Sequence, residues 1–190
     1  MKFLSGKKIL FFSLTILAVV FIVKYDQIAK QEERIYEILA ENGFKQILHQ
    51  EETKNGVVVF YIPDIKTDND HETVSDLSAI YIERTWFGWK GTIDRGGYST
   101  SVDRAITSQY LGRSGKSKNS PFPLLFGEIH QPEISTIQVV NKGNERIDEA
   151  KVITTDNNTI WFLFIDENIR EISIQGLDVN GNLIKEAGVN

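Results

Sequence analysis

The chain has no cysteine, a single methionine, three histidines and four prolines in 190 residues. Without cysteine there is no disulfide scaffold, thiolate zinc site, cysteine nucleophile or lipid-modified cysteine anchor. A surplus of positive charge is also missing, because 21 Lys and Arg stand against 26 Asp and Glu, a net charge of −5. Nucleic-acid-binding domains are normally basic, so no nucleic-acid partner is expected. Wholesale disorder is excluded too, since 41% hydrophobic and 25% charged residues are globular proportions. The length suits about one domain.

Short catalytic signatures are equally scarce. There is no H-E-x-x-H and no G-x-S-x-G, and the S-x-x-K at Ser5–Lys8 precedes an apolar run. His49, His71 and His130 are far apart in sequence, and no zinc site can be read from them. Gly112-Arg113-Ser114-Gly115-Lys116-Ser117 has two residues between its glycines where a phosphate loop needs four, with Tyr110 at the required position. Asp64, Asp68, Asp70, His71, Glu72 and Asp76 are dense enough for weak calcium binding. An EF-hand alignment, however, puts Thr73 where Gly is needed and Ala79 at the bidentate Glu. Asp178-Val179-Asn180-Gly181-Asn182 fails likewise and reads as a hairpin turn. A solvated acidic loop is the expectation for 64–76, with no metal, cofactor or catalytic residue assigned.

What the sequence does have is an apolar run, Ile9 to Val23, between Lys7-Lys8 and Lys24. At about 1.5 Å per residue it reaches roughly 22 Å, against a hydrocarbon core of about 30 Å. Flanking lysines can snorkel and Tyr25 can sit at the headgroups, which reduces the deficit. A cleaved signal peptide is the rival reading, but no small-x-small site follows the run at Phe21–Tyr25. The expectation is therefore a transmembrane helix at 9–23 behind a cytoplasmic leader, 1–8, with its lysines inside and the remainder extracytoplasmic.

Residues 24–43 predict a juxtamembrane helix. Ile28, Ile35, Ile38 and Leu39 recur at helical spacing, Glu32, Glu33, Glu37 and Glu41 lie opposite, and Asn42-Gly43 is a stop. A stalk helix is preferred to a dimerising coiled coil, because fewer than three heptads are present.

From Phe44 the period changes to that of strands. Phe44–His49 and Val57–Ile62 flank Thr53-Lys54-Asn55-Gly56, a strong hairpin signal. Leu77–Ile82 and Thr85–Ile93 follow. Residues 44–121 are read as a hairpin-rich region with a flexible loop at 95–120 and a short helix around Val102–Leu111. In 122–190, six strands are expected at Phe126–His130, Ile134–Val140, Glu149–Thr154, Thr159–Ile165, Ile172–Leu177 and Leu183–Glu186. Pro132, Asn141–Asn144, Asp156–Asn158, Asp166–Asn168 and Asn180-Gly181 punctuate them. The fold class is mainly β with an N-terminal transmembrane and stalk helix, α+β overall. Its extracytoplasmic part is an antiparallel sandwich, with Ile137, Val139, Ile160, Phe162, Phe164, Ile172 and Ile174 pointing inward.

Three features bear on partners. Trp86 and Trp89 are expected on one face of a strand, where burial in the core is the ordinary fate if the strand is central; at a sheet edge or hairpin tip they would instead form an exposed apolar patch rimmed by Lys90 and Arg95. Arg104, Arg113, Lys116 and Lys118 form a basic stretch able to meet anionic lipid or wall polymer. Glu128 and Glu133 flank a Pro-containing turn and could serve a glycosidase as its two carboxylates. Asn157-Asn158-Thr159 matches a glycosylation sequon, which a polar turn explains fully.

Trp86-Phe87-Gly88-Trp89-Lys90, Pro121–Ile129 and Gly176–Gly181, together with the N-terminal run, resemble a loose group of small membrane-anchored envelope proteins of spore-forming Gram-positive bacteria. That group implies an envelope address and brings no activity or catalytic residue. The expected function is a non-enzymatic envelope module binding a protein partner or wall polymer; the alternative is a cell-wall carbohydrate hydrolase using paired carboxylates.

Overall fold

The computed structural model describes residues 16–19, 21–22, 30, 32–41, 43–64, 77–85, 88–96, 105–113, 119–165 and 171–189. The chain divides into two compact units, residues 1–42 and 43–190.

In the first unit the described residues up to 41 are helical. Ile35, Ile38 and Leu39 are buried and Glu32, Glu33, Glu37 and Glu41 exposed, the amphipathic split expected of 24–43. Gly43 follows with a φ of +66°, a left-handed conformation suited to a helix end. Among the described residues no helix is long and apolar enough to cross a membrane. Most of the predicted span 9–23, and all of the leader 1–8, lie outside the described residues.

The described residues of the second unit form three four-stranded antiparallel sheets. The first is a meander of β1 (Phe44–Thr53), β2 (Gly56–Pro63), β3 (Ser78–Thr85) and β4 (Gly88–Gly96). The predicted hairpin joins β1 to β2 through Lys54-Asn55, with Thr53 paired to Gly56. Gly56 is required there, since a Cβ would lie 2.2 Å from the Ile82 carbonyl oxygen. The middle sheet comprises β5 (Gln109–Leu111), β6 (Leu124–Glu128), β9 (Lys151–Thr154) and β10 (Thr159–Phe164), in the order β5-β6-β10-β9. The third sheet runs β12-β11-β7-β8, from β7 (Thr136–Asn141), β8 (Arg146–Glu149), β11 (Ile172–Leu177) and β12 (Leu183–Val189).

Side-chain alternation along β6 and β10 explains the layering. Leu124, Phe126, Ile160 and Phe162 pack with Val58, Phe60 and Tyr81 of the first sheet. Their neighbours Leu125 and Trp161 pack with Ile137, Val139, Ile172 and Ile174 of the third. A strand buried on both faces needs a nearly unbroken apolar run, which Pro121–Phe126 and Ile160–Ile165 supply. The middle sheet is thus shared by two cores.

Several expectations change accordingly. Among the described residues there are three antiparallel sheets, and the predicted inward residues serve two cores: Ile160, Phe162 and the partly buried Phe164 the first, Ile137, Val139, Ile172 and Ile174 the second. Residues 43–190 cluster as one compact unit, and within it β5 pairs with β6. The expected strand Glu149–Thr154 is split. Its ends belong to the third and middle sheets, and the chain changes sheet at buried Ala150, whose N–H bonds to the Ile137 carbonyl. No helix spans Ala105–Leu111; Ile106 bridges to Ile129 and β5 follows, because Ile106 and Leu111 are drawn into different cores. Of the predicted flexible loop 95–120, residues 105–113 therefore belong to the packed structure, while 97–104 and 114–118 lie outside the described residues.

Candidate functional site

A cleft of about 340 Å³ opens at the end of the middle sheet, between the segment leaving β6 and the turn joining β9 to β10. Glu128, the last residue of β6, forms part of its wall with only 4% of its surface exposed. The register pairing Glu128 with Ile160 brings this carboxylate beside the β9–β10 turn. Asn158 Nδ2 donates to Glu128 Oε1 at 3.3 Å, and His130 Nε2 lies 4.0 Å from Oε2.

Both walls are braced by backbone contacts. In the turn, the Thr155 N–H and Oγ1 donate to the Asn158 carbonyl at 2.8 and 3.0 Å, and the Asn158 N–H returns a bond to Thr155 Oγ1 at 3.2 Å. This leaves Asp156 and Asn157 exposed at the tip. On the β6 side, the Glu128 N–H donates to Thr107 Oγ1 at 2.8 Å, and the Thr107 N–H donates to the Glu128 carbonyl at 2.9 Å. The indole of Trp161 donates to the Thr107 carbonyl at 3.0 Å, so the segment before β5 is tied to β10 as well.

The cleft lining is rich in carboxylate, amide and hydroxyl groups, and among the described residues neither lysine nor arginine lines it. Glu133 is exposed and does not line it; the second carboxylate there belongs to Asp156. The pair Glu128 and Glu133, close in sequence, is thus not gathered into the cleft. Asn158 and Asp156 were missed because only the strand register shows them beside Glu128.

The proposed aromatic contact surface has a different geometry. Thr85 pairs with Gly88, and Trp86 and Phe87 lie outside the described residues. A strand would in any case have set Trp86 and Trp89, three positions apart, on opposite faces. Trp89 is half-buried on β4, opposite Arg84, whose guanidinium carbon is 4.7 Å from the ring centroid. Arg84 Nη2 also lies 3.2 Å from Glu52 Oε2, and exposed Lys90 pairs across from Glu83. Among the described residues the cation over the Trp89 indole is that of Arg84.

Of the basic stretch, Arg104, Lys116 and Lys118 lie outside the described residues. Arg113 is exposed and its Nε donates to the Phe122 carbonyl at 3.3 Å, a backbone tie. Most of the acidic loop 64–76, His71 included, also lies outside. Among the described residues no three His, Asp or Glu side chains are grouped to hold a metal ion. In the β11–β12 turn, Asp178 accepts from the Asn182 side chain and from the N–H groups of Asn182 and Asn180. Bonding by Asn182, then Asn180, holds its carboxyl below the ordinary range.

No protein-family model, curated protein or solved structure matches the chain.

Proposed function

We propose that the chain is a single-pass, membrane-anchored module of the cell envelope that binds a wall polymer or protein partner without cleaving it. The lysine-flanked run Ile9–Val23, followed by no cleavage site, supports the anchor and an outside position for the β-rich unit. The observation that carries binding over hydrolysis is the environment of Glu128. It is buried and bonded by Asn158, and the second carboxylate of its cleft is not Glu133 but Asp156, exposed at the tip of a turn. A glycosidase needs two carboxylates facing one bond from opposite sides.

Topology is tested with a reporter fused after Asn190, which should be active only when exported. Release of an N-terminally shortened protein into the medium would instead favour a cleaved signal. For the binding reading, the full chain should co-sediment with purified walls while releasing no reducing ends. Glycan cleavage lost on removing Glu128 and Glu133, with the fold intact, would establish the hydrolase alternative.

A further inference from the structure

We propose that Asn180 is a site of spontaneous covalent modification: Asn180-Gly181 rearranges to isoaspartate and aspartate with loss of ammonia, while Asn55-Gly56 is spared by the fold. This inference concerns the β11–β12 turn and does not depend on the envelope-binding reading.

The chemistry needs an asparagine followed by a small, mobile residue. The peptide nitrogen of Gly181, having given up its proton, attacks the side-chain carbon Cγ of Asn180. A new C–N bond closes a succinimide ring, the bond from Cγ to the amide nitrogen breaks, and ammonia leaves with the proton. Water then opens the ring. Attack at the side-chain carbonyl gives aspartate; attack at the main-chain carbonyl gives isoaspartate, whose chain runs through the side-chain carbon. The balance is one water gained and one ammonia lost, with no oxidant or reductant. Glycine favours ring closure because it has no Cβ to crowd the nitrogen and leaves the backbone free to rotate.

The chain has three Asn-Gly pairs, and the structure distinguishes two of them. Asn42, which begins the third, lies outside the described residues. At the β1–β2 hairpin the Asn55 carbonyl accepts the Arg84 N–H at 2.7 Å, and buried Gly56 is paired with both Thr53 and Glu83. Rotating that peptide far enough to close a ring would break the register of three strands. Asn180 and Gly181, by contrast, are both exposed, and nothing lies within 4 Å of a Cβ added at Gly181. The Gly181 N–H donates to the Asp178 carbonyl at 3.0 Å, and opening that bond at a turn tip is a local fluctuation that leaves the sheets paired. Asn182 is in the same turn but precedes Leu183, whose side chain crowds the attacking nitrogen.

Either product disturbs the turn that makes it. The Asp178 carboxylate accepts the N–H groups of Asn180 and Asn182, each at 2.8 Å, and the Asn182 side chain at 2.9 Å. Isoaspartate lengthens the main chain by one carbon inside this loop, and both products set a second negative charge in the same turn as Asp178. Among the described residues β12 pairs with β11 alone, and none of its residues belongs to either core. Modification should therefore loosen the end of β12 at the Leu177–Leu183 pair and leave both cores intact.

The test incubates the full chain in detergent micelles at mildly alkaline pH, followed by tryptic digestion and mass spectrometry with electron-transfer fragmentation, which tells isoaspartate from aspartate. Residues 171–185 and 55–66 fall in separate tryptic peptides, set by Arg170, Lys185, Lys54 and Lys66. Product should accumulate at Asn180, with isoaspartate in excess, while Asn55 stays unchanged over the same period. In urea the two should react at similar rates, which identifies the fold as what spares Asn55. Gly181→Ala should slow the reaction at Asn180 several-fold. Amide hydrogen exchange of the converted protein should rise at residues 178–186 and be unaltered in β6 and β10. Equal reaction at Asn55 and Asn180 in the folded chain would overturn the proposal, as would product appearing first at Asn182. Reaction of Asn180 in urea alone would overturn it too, because the Asp178 bonds would then be holding the turn shut. Unaltered exchange after full conversion would refute the effect on β12.

Discussion

Lys151 Nζ on β9 lies 2.7 Å from Glu51 Oε2 on β1, a contact between the middle and first sheets made by residues 100 positions apart. The same carboxylate oxygen lies 3.0 Å from His49 Nε2, and the Lys151 ammonium sits 5.6 Å from the centroid of the Phe162 ring. Burial works to raise the Glu51 carboxyl, but bonds from Lys151 and His49 outweigh it and hold the group below its ordinary range.

Stability should follow that shift. A carboxyl held low when folded stabilises the fold above its unfolded pKa of about 4.3 and loses this contribution as pH falls through the lower folded value. Lys151 is half exposed, so solvent screening limits the interaction to about 1 kcal/mol or less. Chemical denaturation should show Glu51→Gln less stable than the parent by up to about that amount at pH 7, with the gap closing in acid. A gap that is unchanged below the carboxylate range would show the ion pair to be irrelevant.

Two glycines should respond to alanine by different amounts and for different reasons. A Cβ on Gly127 would lie 1.9 Å from the backbone oxygen of Thr107, which also receives the Trp161 indole N–H. Neither backbone can withdraw without breaking the middle sheet, so Gly127→Ala should cost about 3 kcal/mol or more. Gly181 has a φ of +82° with nothing within 4 Å of an added Cβ, so Gly181→Ala should cost only the left-handed strain, about 1–2 kcal/mol. Equal losses in thermal unfolding would contradict this assignment.

Much of the second unit is legible in sequence because its strands carry their own period. Ile172–Leu177 is a strand to the residue, and the turn signals at Lys54-Asn55 and Asn180-Gly181 lie where the chain reverses. The third sheet is less legible, because nothing in Glu149-Ala150-Lys151 announces a change of sheet. Pairing between neighbours is local information, whereas the choice between two cores depends on what lies across the layer. The cleft shows the same limit: Glu128 stands out in the sequence, but its partner Asn158 is 30 positions away and becomes a neighbour only through the β6–β10 register.

Trp89 offers a test of the first sheet's edge. It is half-buried beneath Arg84, so truncation removes a partly exposed cation–ring contact and some packing. Trp89→Ala should therefore cost about 1–2 kcal/mol and leave the domain folded. A loss of about 3–5 kcal/mol in denaturant titration would mean a fully packed indole.

The division into two cores makes a prediction about additivity. Phe60 and Phe162 share the first core, with ring centroids 4.7 Å apart, whereas Ile174 belongs to the second core across the middle sheet. Phe60→Leu and Phe162→Leu each leave a void that the other can help fill, so their combined cost should depart from the sum by about 0.5 kcal/mol or more. Phe162→Leu combined with Ile174→Val should be additive within about 0.5 kcal/mol, since β10 backbone and the Trp161 layer separate the sites. The substitutions are conservative so that each double variant remains folded, and the cycles can be read from urea denaturation. Coupling of Phe162 to Ile174 as strong as its coupling to Phe60 would mean one continuous core, and the middle sheet would not be the partition that its alternating side chains imply.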